Sequence, residues 1–250
     1  MVEIISHLTF DLKKYLYFEL ILFFFLTKIN VNCFENMITL KIKGPGPQYF
    51  LCKDNSYGYT YLGEYPSEII VNNKKYRNNI SNIIDVAEGI NDIILKWNNN
   101  ISNFSYMFFG CENIVEADLT NAGYYSNQTL NFQSMFSNCQ SLTSIKLFDI
   151  YLDCEYCEIN LISAFSNCIN LISINLPNIS SYRYNSYVNM SYMFTGCISL
   201  NSINISKILI KDSNNKLSLR KMFHGCSSLN KINILIQNIN WSHTYSYFEI

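Results

Sequence analysis

The stretch SYMFTGCISLNSINIS, residues 191–206, appears in recognisable form five times in this chain of 250 residues. The copies align on the first residue of a Met-Phe pair, which is Ala-Phe in the third copy, and a cysteine follows four positions later in each. These cysteines are 28 or 29 residues apart: Cys111, Cys139, Cys168, Cys197 and Cys226. Aliphatic side chains recur at positions plus seven, plus ten and plus twelve. A fixed period in this range predicts a solenoid, in which each coil buries its apolar face against its neighbours.

The residues around each Met-Phe pair predict a short helix. Apolar residues at positions minus three, zero and plus one form an i, i+3, i+4 stripe, which is one face of a helix. Position minus four holds N-cap residues: Asn103, Asn131, Asn160, Asn189 and Ser218. Position plus three holds residues that end helices because they enter the left-handed conformation at low cost: Gly110, Asn138, Asn167, Gly196 and Gly225. The pair at plus ten and plus twelve has the period of a strand. We therefore expect a leucine-rich-repeat-type solenoid of about five coils, each with a short helix and a parallel strand.

The repeated cysteines are interpreted as core residues, because a cysteine outside a disulfide behaves as a small buried hydrophobe. Stacked thiols that bind a metal ion are the alternative. Metal sites, however, need clustered ligands with histidine or paired-cysteine spacing, and the repeats have neither. We therefore expect no metal and no cofactor.

The N-terminus has the features of a secretory signal peptide. Two lysines precede an apolar run, residues 15–26, which is short for a membrane span. A plausible cleavage pattern follows at Val31 and Cys33, which predicts a signal peptide over residues 1–33. An uncleaved anchor and a start at Met37 are the alternatives. Because no second hydrophobic run occurs, contact with a membrane is expected only through the signal peptide.

Residues 34–98 lack the repeat and contain strand-like stretches, namely MITLKIKG, SEIIVNN and NDIILKW, while GPGP predicts a turn. We expect a small β-rich N-terminal cap domain here, because an uncovered terminal coil leaves core and strand edges open. The solenoid is then expected over residues 99–250.

Two kinds of covalent modification are expected outside the core. Cys154 and Cys157 form CEYC in a loop, where a disulfide is the ordinary interpretation in an oxidising compartment. Cys52 is then unpaired, or pairs with one of these two. Among the Asn-x-Ser/Thr sequons, Asn127 and Asn178 fall in predicted inter-strand loops and are the better glycosylation candidates.

Two surfaces are candidates for ligand binding. One is formed by the outward residues beside the strand positions: Glu116, Asp118, Ser144, Lys146, Ser173, Asn175, Ser202, Asn204, Lys231 and Asn233. If the strands stack, these residues form two columns on one face, where repeat proteins commonly bind ligands. The other is formed by loop tyrosines, which supply rigid contact area at low entropic cost: Tyr124, Tyr125, Tyr182, Tyr184 and Tyr187. The alternatives are a sheet face that is polar only because it is solvated, and a general bias of the composition toward tyrosine.

The sequence gives little support for catalysis. The chain has three histidines and no nucleophile elbow, phosphate loop or zinc helix, so we expect no enzyme. With 18 basic and 19 acidic residues and no basic stripe, we also expect no nucleic-acid partner.

The repeats MFSNCQSLTSIKL and MFTGCISLNSINIS resemble those of BspA-like leucine-rich repeat surface proteins, over about residues 101–236. The resemblance implies a solenoid on a cell surface or in the secreted pool, associated with adhesion and with binding of host or matrix proteins. The coils are longer than in many members, and the Asp-rich stretch after the strand is mostly missing. We therefore expect a secreted or cell-surface protein that binds a protein or glycan on another cell or matrix. A structural surface coat that acts by lateral packing is the alternative, and an intracellular scaffold is a weaker one if translation starts at Met37.

Overall fold

The computed structural model describes residues 36–52, 63–76, 81–181, 186–210 and 216–237. These residues form β-strands and turns, with no α-helix among them, and belong to one compact unit, Asn36–Ile250. The predicted signal peptide lies outside the described residues. In chain order the strands are β1 (Asn36–Tyr49), β2 (Glu68–Val71), β3 (Lys74–Tyr76), β4 (Ile83–Trp97), β5 (Ile114–Asp118), β6 (Leu130–Asn131), β7 (Ser144–Lys146), β8 (Ile150–Leu152), β9 (Glu158–Asn160), β10 (Ser173–Ser181), β11 (Tyr187–Asn189), β12 (Ser202–Ile210), β13 (Lys216–Ser218) and β14 (Lys231–Gln237).

A six-stranded sheet, in the order β3-β2-β4-β1-β5-β7, joins the N-terminal segment to the first two coils. β1 is antiparallel to β4 and β5, and Leu40 lies opposite both Ile93 and Ala117. The predicted GPGP turn is wrong, because β1 continues through residues 44–47. An irregularity in the pairing with β4 at this point accommodates the prolines, which lack a donor for the ladder.

The end of this N-terminal segment takes the place of a coil in front of the first repeat. The Cys52 N–H donates to the Met107 carbonyl at 2.8 Å, and the Cys111 thiol donates to the Leu51 carbonyl at 3.3 Å. Each later pair of successive coils makes the same two kinds of bond. Leu51 and Cys52 therefore supply the hydrogen-bond partners that a preceding coil would supply to the first coil. A cap must cover the first coil in this way, as predicted for the N-terminal segment. The domain boundary between residues 98 and 99 stays a prediction.

The remaining strands form two parallel sheets, in the orders β14-β12-β10-β8 and β13-β11-β9-β6. Equivalent residues of successive coils pair directly, as Ile174 does with Ile203 and Ile203 with Ile232. The predicted repeat solenoid with parallel strands is therefore confirmed.

The predicted short helix in each coil is wrong for the described residues, because the Met-Phe segment forms consecutive turns. Alternate N–H groups have different acceptors: Met107 donates within its own coil to Phe104 at 3.2 Å, whereas Phe108 donates to Met135 of the next coil at 2.9 Å. A helix would direct every one of these donors within its own coil. The backbone is also left-handed at position minus one, which interrupts a helix: Tyr106, Ser134, Ser163, Tyr192 and Lys221.

The residues expected to cap a helix lie instead at the start and at the end of the consecutive turns. The Asn103 and Asn160 side chains each accept a hydrogen bond from the backbone N–H two residues later, at 2.9 Å and 3.0 Å. Asn131 and Asn189 do the same. All five Gly or Asn residues at position plus three have a positive φ, between 58° and 77°. The local preferences of these residues are therefore met without a helix.

Two ladders of side chains fill the interior of the coils. Stacked rings of successive coils lie 4.9, 5.7, 5.5 and 6.0 Å apart between centroids: Phe108, Phe136, Phe165, Phe194 and Phe223. The five repeated cysteines are at most 6% exposed, and the last four donate their thiol hydrogen to a carbonyl of the preceding coil at 3.0 to 3.1 Å. Burial, the largest cause, raises the pKa of Cys197 to about 12 and that of Cys226 to about 11. The thiols therefore stay protonated and act as core residues.

Candidate recognition surface

The outward residues of the last three coils form the two columns that the repeat predicts. Ser173, Ser202 and Lys231 occupy one column, in register across β10, β12 and β14. The other column is Asn175, Asn204 and Asn233. The Asn233 amide donates to the Asn204 side-chain oxygen at 2.9 Å. These side chains are exposed or half-buried, so they line a shallow polar strip.

The outward residues of the first two coils belong to a different sheet. Glu116 lies opposite Ser144, and Asp118 opposite Lys146, on β5 and β7. Hydrogen bonding stops between β7 and β10, which the described residues place in separate sheets. The ten predicted residues therefore lie on two sheets, and the hydrogen-bonded register of the columns is interrupted at this junction, although β7 and β10 stay in contact.

The first group contributes to a depression of about 410 Å³ on the outer face of the six-stranded sheet. We call this depression the charged trough. Its polar lining residues are Thr39, Lys41, Asn73, Asp92, Glu116, Asp118, Ser144 and Lys146. The repeat pattern does not identify the first four, because they lie in the N-terminal segment before the first repeat. The alternation in MITLKIKG, which turns residues 39, 41 and 43 outward, is the signal that identifies two of them.

Opposite charges are paired across strands within the trough. The Lys41 ammonium lies 2.9 Å from the Glu116 carboxylate, and the Lys146 ammonium lies 3.3 Å from the Asp118 carboxylate. The hydrogen bond to Glu116, together with the attraction of its charge, raises the pKa of Lys41. Asp92 lies opposite Lys41 on β4. The trough therefore presents donors and acceptors side by side with its charges largely compensated.

Hydrogen bonds keep Asp118 ionised. Burial, the largest effect, acts to raise the pKa of this carboxyl, but hydrogen bonds from Thr120 and Lys146 outweigh it, and the pKa is lowered. The Thr120 hydroxyl and N–H both donate to Asp118, at 2.6 Å and 3.0 Å. The arrangement fixes an ionised acceptor in place.

The loop tyrosines are not equivalent in the structure. Tyr182 and Tyr184 lie outside the described residues. Tyr187 is on β11, not in a loop as predicted, since it pairs with Glu158 and Lys216. Tyr124 is half-buried. Its ring stacks on Phe148 at 4.8 Å, and its hydroxyl accepts from the Tyr151 N–H at 2.8 Å.

Tyr124 therefore acts as a support for the neighbouring segment around β8. Burial is the largest cause of the rise in the pKa of its hydroxyl. Of the loop tyrosines predicted to bind a ligand, Tyr125 is the one that the structure describes as exposed, at 39%.

The predicted modification sites have different surroundings. Cys154 and Cys157 form a disulfide, and Cys52 is a buried thiol outside any disulfide. Asn127 is exposed in a loop. Asn178 is exposed but lies on β10, not in a loop as predicted, and its amide donates to Asp149 at 3.1 Å.

Two further features concern only the described part of the chain. It holds no group of three or more His, Cys, Asp or Glu side chains placed to bind a metal ion. None of its segments forms a helix with the length and apolar character needed to cross a bilayer.

The family model described as "Mycoplasma protein of unknown function, DUF285" matches residues 67–152 and 159–248, more than half of the chain. The chain belongs to this family. The resemblance to BspA-like leucine-rich repeat proteins is confirmed at this level. The matched residues cover β2, β3 and β4 of the N-terminal segment as well as the coils.

One similar solved structure is the crystal structure of a leucine rich cell surface protein from Faecalibacterium prausnitzii A2-165. It is 21% identical, with a TM-score of 0.34. The match covers 56% of this chain and 30% of that chain, so this protein spans less than a third of it. Among curated proteins, none matches the chain.

Proposed function

We propose that this protein is a secreted or cell-surface recognition protein that binds a protein or glycan ligand along its outward strand face, with the charged trough as the centre of contact. The signal peptide directs export, and glycosylation at Asn127 belongs to the same proposal. The protein acts by binding, with no catalytic step. BspA-like proteins are associated with adhesion, and the resemblance to them supports this role.

The observation that carries the proposal is the charge compensation of the trough. A sheet face that is polar only for solubility needs no concave surface in which two lysines are held against two carboxylates. Here the Lys41–Glu116 and Lys146–Asp118 pairs line one depression, together with hydroxyl and amide groups. Fixed polar groups that converge in a depression give a ligand orientation and specificity.

The first experiment measures capture of the purified full chain by surfaces coated with mucin, laminin, collagen or intact epithelial cells. The perturbed variant is Glu116→Lys, which places three positive charges in the trough. The Lys41–Glu116 ion pair that this variant removes is exposed and contributes little to stability, so the variant is expected to fold. Capture is expected to weaken by about tenfold or more, because reversing a charge at the centre of contact puts like charges opposite each other and removes an acceptor for the ligand.

The matched control is Lys75→Glu. This variant also reverses one partner of an exposed ion pair on the same sheet, Lys75 with Glu68, but that pair lies outside the trough. Capture by the control is expected to equal that of the unmodified protein. Equal capture by Glu116→Lys and the unmodified protein, with both folded by circular dichroism, contradicts the trough as the site. N-terminal sequencing of surface-labelled native protein tests export, and an intact Met1 on a cytosolic protein contradicts it.

One observation favours the surface coat as a second function. Ile172 and Ile198 on adjacent coils are 52% and 49% exposed, so two large aliphatic side chains are available for contact with a second copy of the chain. Sedimentation over a wide concentration range distinguishes the two functions. Self-assembly that is lost in Ile198→Ser favours the coat, whereas a monomer at all concentrations opposes it.

A further inference from the structure

Three exposed tyrosines lie on two segments of successive coils, away from the charged trough. Tyr125 is 39% exposed, Tyr151 is 43% exposed and Tyr156 is 75% exposed. We call these three residues the tyrosine rim. None of them lines the trough, so the inference does not depend on the function proposed above.

Hydrogen bonds join the two segments next to Tyr125 and Tyr151. The Asp153 N–H donates to the Ser126 carbonyl at 2.9 Å, next to Tyr125 in the chain. The Tyr151 N–H donates to the hydroxyl of Tyr124 at 2.8 Å. Tyr125 and Tyr151 therefore flank the same pair of hydrogen bonds between the segments.

Tyr156 is held at the tip of the loop after β8 by covalent and backbone constraints. It lies between Cys154 and Cys157, whose disulfide closes the tip, with the two Cα atoms 5.7 Å apart. Its φ of 60° is left-handed, like that of the turn residues Tyr106 and Tyr192. Those two residues are partly buried, whereas three-quarters of the Tyr156 surface is exposed and available for contact with a ligand.

The groups around the rim define the chemistry of a partner. The faces of tyrosine rings carry a partial negative charge and attract weakly positive C–H groups. The exposed carboxylates of Asp153 and Glu155 border the tip and accept hydrogen bonds from hydroxyl groups. Lys146 is the only basic residue between positions 121 and 160, and it belongs to the trough. A negatively charged partner therefore finds no counter-charge on these two segments.

We propose that the tyrosine rim is a binding site for an uncharged glycan. The C–H face of a sugar ring stacks on the tyrosines, and its hydroxyl groups donate to Asp153 and Glu155. The disulfide and the hydrogen bonds between the segments hold the rings in place before binding, which lowers the entropic cost of association. A site of this kind recognises neutral polysaccharides and rejects sulfated or sialylated ones.

The test uses the full chain produced in a host without N-glycosylation, so that every sugar that the protein contacts comes from the polysaccharide in the gel. Migration is measured in native gels that contain soluble starch, mannan or mixed-linkage β-glucan. The protein is expected to be retarded by at least one of these, and retardation is expected to weaken about tenfold in Tyr156→Gly. Glycine suits the left-handed backbone at this position, so the variant removes the ring without straining the fold.

Two control variants test whether retardation depends on the rim tyrosines and on their rigid placement. Ile90→Ser removes a large apolar side chain that is 55% exposed on β4, outside the two segments that carry the rim, and it is expected to leave retardation unchanged. Cys154→Ser combined with Cys157→Ser keeps every rim tyrosine but removes the disulfide that closes the loop. This double variant is expected to weaken retardation several-fold, while its thermal unfolding stays cooperative.

The proposal is overturned if none of the three polysaccharides retards the protein. It is also overturned if Tyr156→Gly is retarded as strongly as the unmodified chain, or if heparin competes better than neutral oligosaccharides. Retardation that Glu116→Lys abolishes and Tyr156→Gly leaves intact assigns glycan binding to the trough instead.

Discussion

Replacing Phe165 by alanine tests the ring ladder where it has a neighbour on both sides. Phe165 is 2% exposed, and its ring is parallel within 8° to the rings of Phe136 and Phe194, at 5.7 Å and 5.5 Å. Removal of a buried phenylalanine side chain costs about 3–5 kcal/mol through lost burial and the cavity that remains. Each stacked pair adds about 0.5–1.5 kcal/mol. Phe165→Ala is therefore expected to lower the free energy of unfolding by about 4–5 kcal/mol, at the upper end of this range.

Phe223 provides the internal comparison. It is 1% exposed, but among the described residues it has one stacked partner, Phe194, at 6.0 Å. Phe223→Ala is expected to cost about 1 kcal/mol less than Phe165→Ala, the value of one stacked pair. Phe165→Leu keeps most of the volume and is expected to cost about 1–2 kcal/mol.

The assay is equilibrium unfolding in urea, followed by circular dichroism. The loss is read from the transition midpoint at constant slope, since a change in slope indicates that the coils on either side of the third coil unfold separately. A loss below about 1 kcal/mol for Phe165→Ala, or a loss no larger than that of Phe223→Ala, refutes the idea that a continuous ring ladder stabilises the coils.

Two further predictions concern the backbone and the thiols. Ser163→Gly is expected to raise the free energy of unfolding by about 0.5 kcal/mol, because Ser163 has a φ of 54°, which glycine adopts more easily. In a helix the same substitution would lower the free energy of unfolding, so the sign measured by urea titration distinguishes a turn from a helix. Burial raises the pKa of Cys197 to about 12, against about 8.5 for an unfolded thiol. The protonated thiol therefore contributes its full stabilisation of the fold below pH ~8.5, and this contribution is lost as the pH rises toward 12. Urea titrations from pH 8 upward are expected to show a shallower decline in Cys197→Ala, and an unchanged slope contradicts a buried protonated thiol.

Much of the candidate site was predictable because the repeat determines which residues face outward. Asn175 and Asn204 could be placed because each lies between two inward aliphatic residues of its repeat. The rest required contacts between segments far apart in the chain. Lys41 and Glu116 are 75 positions apart, and no local pattern pairs them. The break between β7 and β10 likewise depends on how whole coils stack, which single positions do not encode.

The sequence by itself determined the period, the buried thiol and ring positions, and the residues that take a positive φ at plus three. Each of these follows from burial or from the steric limits of one residue, and both act locally. Only the tertiary structure decided that the Met-Phe segments are turns. In isolation an apolar i, i+3, i+4 stripe satisfies its donors best as a helix. In the stack, the carbonyls of the next coil accept alternate N–H groups, and that choice exists only once the neighbouring coil is in place.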